Sequence, residues 1–384
     1  MVSRFRLLVL TGFLALAGCA VAPPVPPHLS LTPARFSDLP GWADDDPAQA
    51  IPALLRSCRD LTARGDVGGI GGGGADWKPI CAEAAALAPQ DSAGARQFFE
   101  RNFTPVHATN GDQDQGLFTG YYEIALRGSR TREGIYASPL YHRPPDLISV
   151  DLGRFRASLK GQRIAGRVVG EHLMPYPDRS AIEGGALDGK GLEFLWIDNP
   201  VDAFFLEIQG SGRVTLPDGQ VVRVGYDGSN GQPYVSIGHI LAETGIPLDQ
   251  ISLSFLRQWI AAHPEQGRAL MNRNPSYVFF KEMAGDGPLG GEGVVLTPER
   301  SIAVDPAFIP YGLPVWIDTS DQLSPSGRLR RLMVAQDTGG AIKGPVRADI
   351  FFGFGPSAEE HAGSMRGQGD WWLLLPRTVT LPAS

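Results

Sequence analysis

Glycine and proline divide most of this 384-residue chain into short runs of β-prone residues. The chain has 48 Gly and 32 Pro, and the runs fill two long stretches, from about Ala125 to Gly231 and from Tyr277 to Pro376. Short strands separated by turn residues are typical of sandwiches and barrels, where proline is confined to edges and corners. The chain is therefore expected to be mainly β, with helices flanking the β segments.

Helical spacing of apolar residues marks the regions outside these two stretches. Asp46 caps a first predicted helix that ends before Gly65, Asp76 caps a second, and a third spans about Ser92 to Asn102. Further helices are predicted from Ile237 to Thr244 and from Leu253 to Ala262. The first three are interpreted as a helical support for the β segments.

The N-terminus has the layout of a secretory signal. Its apolar segment, Leu7 to Leu16, is too short to cross a bilayer, and Leu16-Ala17-Gly18-Cys19 resembles the bacterial lipobox. Residues 1–19 are thus predicted to be a lipoprotein signal peptide with Cys19 lipidated, and the Pro-rich residues 20–35 a tether. The expected location is the outer membrane, facing the periplasm. The alternative is an ordinary cleaved signal with an incidental cysteine.

Two more cysteines, Cys58 and Cys81, remain in what would be an oxidising compartment. An even pair there can be bridged, and a disulfide is favoured. Because both lie on apolar faces of predicted helices, two reduced core thiols are the competing interpretation.

Charge and metal-ligand spacing exclude other classes. A net charge of −7, with no cluster of Lys and Arg, argues against binding of nucleic acid. His residues are scattered, and no His/Cys or carboxylate cluster has metal-ligand spacing, so neither a metal nor another cofactor is expected.

Two carboxylates near the C-terminus are the main candidates for chemistry. Asp337 follows one apolar run, a glycine-rich loop comes next, and Asp349 opens the next run. Burial beside Val346 and Ile350 would desolvate ionised Asp349, raise its pKa and make it a proton donor near neutral pH. The alternative is structural: Asp337 would cap a turn, and Asp349 would pair with Lys343 or Arg347.

Several longer motifs, in the same order, resemble the membrane-bound lytic murein transglycosylase A family of bacterial lipoproteins, with its C-terminal three-aspartate (3D) domain. They are Phe118-Thr119-Gly120-Tyr121-Tyr122-Glu123, Phe205-Leu206-Glu207-Ile208-Gln209-Gly210-Ser211-Gly212, Asn274-Pro275-Ser276-Tyr277-Val278-Phe279-Phe280, Leu296-Thr297-Pro298 and Arg300-Ser301-Ile302-Ala303-Val304-Asp305. The resemblance implies a six-stranded double-psi β-barrel domain with a second β-barrel domain inserted and a groove between them. Carried over, the first domain comprises residues 36–123 and 232–384, and the insert comprises residues 124–231.

The resemblance also implies an activity: cleavage of the β-1,4 bond between N-acetylmuramic acid and N-acetylglucosamine in peptidoglycan glycan strands, with a 1,6-anhydro product. The three aspartates fall on Asp305, Asp337 and Asp349. Asp349 takes the position of the proton donor in similar barrels and would act first as acid and then as base, with Asp337 supporting it. Asp305, followed by proline, is a better loop cap than catalyst. Relatives often have His-Phe where this chain has Arg347-Ala348.

By the same resemblance, five residues contact the glycan: Thr119, Gly120, Tyr121, Gln209 and Ser211. Two rival functions remain at this point. Related barrels can bind polysaccharide without cleaving it, so a non-catalytic wall-binding or wall-loosening module is one. An aspartic protease is the other, because of Asp337-Thr338-Gly339, but that site needs two such loops and the chain has one. Protein partners are not indicated by the sequence.

Overall fold

The computed structural model describes residues 26–65, 70–159, 162–285 and 287–380. The predicted signal peptide and its Cys19 lie outside these residues. Within them, no helix is both long and apolar enough to span a membrane.

Sixteen strands lie in the described residues: β1 (Leu29–Pro33), β2 (Phe103–Asn110), β3 (Gly116–Ser129), β4 (Ser138–Tyr141), β5 (Ile148–Asp151), β6 (Arg163–Val169), β7 (His172–Pro175), β8 (Glu193–Ile197), β9 (Ser211–Thr215), β10 (Val221–Ser229), β11 (Val278–Glu282), β12 (Ser301–Ala303), β13 (Pro314–Ser320), β14 (Arg328–Asp337), β15 (Arg347–Phe354) and β16 (Arg366–Pro376).

The helices of the same residues are α1 (Ile51–Ala63), α2 (Gly74–Ala86), α3 (Ser92–Asn102), α4 (Arg179–Ala181), α5 (Pro200–Gln209), α6 (Ile237–Ala242), α7 (Leu253–Ala262), α8 (Pro264–Asn272) and α9 (Pro356–Ser364).

Six strands close into a barrel in the order β3, β15, β12, β14, β13 and β16, and β16 pairs again with β3. The β3–β15 and β12–β14 pairs are parallel, and the other four are antiparallel. Fully buried side chains, among them Phe118, Trp316, Ile350 and Trp371, belong to its strands. The expected fold class, a mainly β protein built around a six-stranded barrel with flanking helices, is confirmed.

Strand β3 continues from this barrel into a second sheet. Its second half pairs with β8 and β9, giving the order β4, β8, β3, β9, β10, β11. The predicted boundary between residues 123 and 124 therefore falls inside a strand that both domains share. Residue Phe280 of β11 lies opposite Tyr226 of β10, so β11 belongs to this second sheet although the predicted insert ended at Gly231. The second sheet thus extends by strand β11 beyond the predicted insert of residues 124–231.

Two further predictions about elements were incomplete. The predicted tether of residues 20–35 includes β1, whose alternating Leu29 and Leu31 pack partly buried on the core while the strand pairs with β2. The predicted β-barrel insert contains α5, although the ends of this helix are marked in the sequence. Asn199 caps it by accepting a hydrogen bond from the Val201 amide (2.9 Å), and Gly210 ends it with φ of 78°.

A disulfide joins Cys58 of α1 to Cys81 of α2, with 5.7 Å between their Cα atoms. Of the two states that the sequence left open, the structure contains the bridged one. The bond fixes the support helices to each other beside the barrel.

Replacing both cysteines by serine is expected to lower the free energy of unfolding by about 3 kcal/mol, because a cross-link restricts the unfolded chain. The residues are 23 positions apart, a loop of moderate length. Urea unfolding of oxidised wild type, reduced wild type and the double variant measures the loss. Equal midpoints for all three would contradict a stabilising bridge.

Candidate active site

Asp349 lies on β15 directly beside Thr119 of the parallel strand β3. The Thr119 hydroxyl donates a hydrogen bond of 2.5 Å to Asp349 Oδ1, and Arg347 Nη2 donates one of 2.9 Å to Thr119 Oγ1. Within the described residues no direct ion pair joins Asp349 to Arg347 or Lys343, since the hydroxyl stands between the guanidinium and the carboxyl. The structural alternative for Asp349 therefore fails.

The surroundings of Asp349 favour its protonated form. Burial raises the pKa of Asp349 above its ordinary value, Arg347 and the Thr119 hydroxyl act against that rise, and the charge of Asp337 adds to it. The side chain nevertheless keeps a partly exposed edge. A carboxyl with a raised pKa keeps its proton to a higher pH than an ordinary aspartate does and, where it is partly exposed, can release that proton to a ligand.

Asp337, the last residue of β14, is held by three donors. The Tyr121 hydroxyl donates to Oδ2 at 2.6 Å, and the amides of Gly291 and Thr338 each donate to Oδ1 at 2.8 Å. Burial raises the pKa of Asp337, and the three hydrogen bonds oppose the rise. The carboxyl is thus fixed in position, with its acceptor sites directed at the protein.

Register explains how β3 supplies the site. Successive side chains of a strand alternate between faces, so Thr119 and Tyr121 share the face that carries the two carboxyls. Gly120 lies on the opposite face, where a Cβ would come within 2.6 Å of Phe352 Cε2 and 2.8 Å of Ala362 Cα. The structure thus places Gly120 under α9, and only its backbone is free to meet a ligand.

We expect Gly120→Ala to lower the free energy of unfolding by about 1–3 kcal/mol through overpacking. The matched control is Gly184→Ala, where a Cβ meets nothing within 4 Å. Urea midpoints of the two variants would separate these cases. If both variants match wild type, Gly120 has no packing role.

Gln209 and Ser211 lie where β3 passes between the two sheets. Gln209 Oε1 accepts a hydrogen bond of 3.0 Å from the Tyr122 amide. Ser211 is buried and opens β9, opposite Gly225. In the described part of the chain neither forms a hydrogen bond with Asp337 or Asp349. Gln209 and Ser211 lie beside the neighbouring segment of β3, and not beside the two carboxyls.

Asp305 anchors loops. Its carboxylate accepts hydrogen bonds from the Ala307 amide (3.1 Å) and the Gly344 amide (2.9 Å). The second bond holds the loop between β14 and β15. This geometry is that of a loop cap.

Three nearby groups were missed or only weakly indicated by the sequence. Gly291 carries an amide that holds Asp337. Its neighbour Glu292 accepts a bond of 2.6 Å from Ser57, and burial raises the pKa of Glu292 to about 7. Burial also raises the pKa of Tyr234, and the charge of Asp349 adds to that rise. The loop that carries Gly291 and Glu292 contains no sequence motif that indicates a functional site.

A cavity of about 1320 Å³ lies elsewhere, between α5 and the α7–α8 pair, and no residue of the predicted site lines it. Its floor is closed by a bidentate pair, Arg179 to Glu207, with both contacts at 2.8 Å. Asp337 and Asp349 are both partly exposed. In the described residues no group of three or more His, Cys, Asp or Glu is arranged to hold a metal ion.

Comparison with known proteins identifies this arrangement. Sequence models match the chain for the MltA specific insert domain over residues 117–281 and for the 3D domain over residues 300–375. A membrane-bound lytic murein transglycosylase A from Vibrio cholerae is 37% identical over 273 residues, covering 69% of this chain and 67% of the relative. The chain belongs to the membrane-bound lytic murein transglycosylase A family. This confirms the resemblance seen in its motifs.

Solved structures of the membrane-bound lytic murein transglycosylase A family have the same fold. A membrane-bound lytic murein transglycosylase from Agrobacterium tumefaciens superposes with a TM-score of 0.81 at 35% identity, covering 91% of this chain and 98% of that one. MltA from Escherichia coli with bound chitohexaose gives 0.66 at 27% identity, covering 87% and 90%. Chitohexaose is thus bound to a protein of this fold.

Proposed function

We propose that the chain is a peptidoglycan lytic transglycosylase, a lyase that cleaves the β-1,4 bond between N-acetylmuramic acid and N-acetylglucosamine and releases 1,6-anhydromuramic acid ends. The observation that carries the proposal is Asp349, a partly exposed carboxyl whose pKa is raised by burial. Membership of the family and the chitohexaose-bound relative support a glycan substrate.

A single carboxyl is sufficient for this reaction. Protonated Asp349 gives its proton to the oxygen that leaves C1 of the muramic acid, and the C1–O bond breaks. The carboxylate then takes the proton of the 6-hydroxyl of the same sugar as O6 bonds to C1. Acid and base are one group, no water is consumed, and the carboxyl ends in its starting state. Ordinary glycosidases use two carboxyls because their nucleophile comes from outside the substrate ring.

Contacts of Asp349 fit this double use. Thr119 occupies Oδ1, and in the described residues Oδ2 has no hydrogen-bond partner, so Oδ2 is the atom left for the sugar. Arg347 holds the Thr119 oxygen from the other side, which leaves the hydroxyl proton directed at Asp349. The carboxyl is thereby fixed in rotation while its second oxygen exchanges protons.

Asp337 supports the reaction at Asp349 through its charge and its fixed position. Fixed by Tyr121 and two amides, its carboxyl raises the pKa of Asp349 and places negative charge where C1 becomes positive as its bond breaks. We assign Thr119, Tyr121, Gln209, Ser211 and the backbone of Gly120 to the glycan contacts. Thr119 and Tyr121 are already bonded to the two carboxyls, so a sugar there would touch the catalytic groups directly.

We also propose that the protein acts as an outer-membrane lipoprotein in the periplasm, anchored through lipidated Cys19. The lipobox-like residues before Cys19 and the word "membrane-bound" in the relatives' names support this. The Cys58–Cys81 disulfide is consistent with an oxidising compartment.

The test is digestion of purified murein sacculi, followed by mass spectrometry of the released muropeptides. The expected products carry 1,6-anhydromuramic acid. Reducing ends would show a hydrolase, which needs a second group to activate water. No release would show a binding module and contradict the proposal. Digestion of casein is the control for the protease alternative, and it is expected to be absent.

A further inference from the structure

Strands β5, β6 and β7 form a small antiparallel sheet, which in the described residues pairs with no other strand. Residues directly opposite each other in such a sheet share a face, and alternate residues of one strand do so too. The register sets Val150 opposite Ile164 and Val168 opposite Leu173. One face, here called the outer face, therefore carries five apolar side chains: Ile148, Val150, Ile164, Val168 and Leu173.

The middle of the other face packs on the protein, while Val169 and Met174 of that face are 50% and 47% exposed. Ala165 is partly buried against the core cluster that contains Tyr176, and the Arg167 guanidinium lies 6.0 Å from the centre of the Tyr176 ring. A Cβ on Gly231 would come within 2.7 Å of Ala165 Cβ. The outer face consequently points away from the protein.

Aliphatic side chains on the outer face are open to solvent. Ile148, Ile164, Val168 and Leu173 are 41%, 43%, 58% and 41% exposed. Phe155, in the turn after β5, is 74% exposed. Single exposed apolar residues are normal, but a contiguous patch on one face marks an interaction surface.

Charge identifies what the patch would meet. Residues 148–175 contain five Lys or Arg and two Asp or Glu, a net charge of +3 in a chain of −7. Of these, Arg163 and Arg167 alternate with the outer-face residues of β6 and belong to the other face. Arg154 and Arg156 flank Phe155, and all three are exposed. Aliphatic side chains among arginines fit a lipid surface, with the apolar groups at the acyl chains and the cations at anionic headgroups. Glycans are usually bound between several aromatic faces, whereas Phe155 is the only Phe, Tyr or Trp in residues 148–175. A second copy would bring like charges together.

We propose that the outer face of β5–β7, with Phe155, rests on a lipid surface that contains anionic phospholipid. The contact would hold the catalytic domain at a fixed orientation to the membrane, in addition to any N-terminal anchor. It is independent of the reaction proposed above.

The test places a tryptophan on the outer face by Val168→Trp. The matched control is Val221→Trp on β10, a valine of similar exposure (53%) far from this sheet in the chain. Each full-length variant is bound to vesicles of phosphatidylethanolamine and phosphatidylglycerol with brominated acyl chains, and wild-type emission is subtracted. Because quenching is read at one position, it reports on that position however the N-terminus attaches.

Emission added by Val168→Trp is expected to fall about two-fold, since interfacial apolar faces lie about 5–10 Å deep, within reach of the bromines. The Val221→Trp emission is expected to remain unchanged. Adding Arg154→Glu and Arg156→Glu should relieve the quenching at position 168. Equal quenching at both positions, or none at 168, overturns the proposal. Sedimentation without lipid could instead show dimers in which the tryptophan at position 168 is shielded from solvent. That result would overturn the proposal in favour of a second copy of this chain on the outer face.

Discussion

Replacing Asp349 by Asn is expected to lower the rate of muropeptide release about 10³-fold, within the range of 10²- to 10⁴-fold for loss of a general acid or base. Asparagine keeps the shape of the side chain and can still accept the Thr119 hydroxyl bond of 2.5 Å. It can neither give a proton to the leaving oxygen nor take one from the 6-hydroxyl, so both halves of the reaction lose the same group. The measurement is kcat and kcat/KM on sacculi, with products identified by mass.

Stability provides the control for this variant. Burial raises the pKa of Asp349, so its contribution to stability is fully present at pH below the ordinary carboxyl pKa and is lost as pH rises through the folded-state pKa. Asparagine carries no charge to desolvate. The variant should therefore unfold at the same or a higher urea concentration than wild type at neutral pH. Retained activity in the folded variant would contradict the assignment and point to Asp337.

Replacing Asp337 by Asn is expected to move the loss of activity with rising pH to a lower pH. Protonated Asp349 is the acid, so activity falls as pH rises through its pKa, and the charge of Asp337 raises that pKa. Without that charge the pKa of Asp349 decreases. At a fixed pH, each unit by which this pKa decreases lowers the ratio of protonated to ionised Asp349 about ten-fold. Activity at neutral pH should fall with it. A pH profile of kcat/KM measures the shift.

A matched control for Asp337→Asn is Asp305→Asn. Asp305 is buried and belongs to the same loop region, but its contacts are the Ala307 and Gly344 amides. We expect Asp305→Asn to lower the free energy of unfolding. The pH at which kcat/KM falls on the alkaline side of the profile should stay unchanged. If the loss of activity with rising pH occurs at the same pH or a higher pH in Asp337→Asn than in wild type, Asp337 does not raise the pKa of Asp349.

Much of the scaffold could be predicted from local sequence. The helices from Ser92 to Asn102 and from Leu253 to Ala262 lie where the spacing of apolar residues placed them. Barrel closure could not be read locally, because β16 pairs with β3 across the whole insert. The prediction of a closed barrel came from the family resemblance. The helix α5 was missed although its caps are visible, since the β-prone texture around it dominated the interpretation.

Burial of an aspartate among apolar residues singled out Asp349 from the sequence alone. Its partner could not be found in that way. Thr119 is 230 residues away, and the bond depends on the parallel register that sets Asp349 beside it. The hold of Gly291 on Asp337 depends likewise on a loop conformation that no pattern encodes. The sequence also could not show that the side-chain face of Gly120 lies under α9, so that only its backbone can meet a ligand.

The most direct test is the pKa of Asp349 itself, followed by the carbonyl-carbon NMR signal of ¹³C-labelled aspartate as pH is varied, with the signal assigned by its absence in Asp349→Asn. We expect a midpoint above the ordinary aspartate value in wild type and a lower midpoint in Asp337→Asn. A wild-type midpoint at or below the ordinary value would leave the carboxyl ionised at neutral pH and contradict its use as the acid.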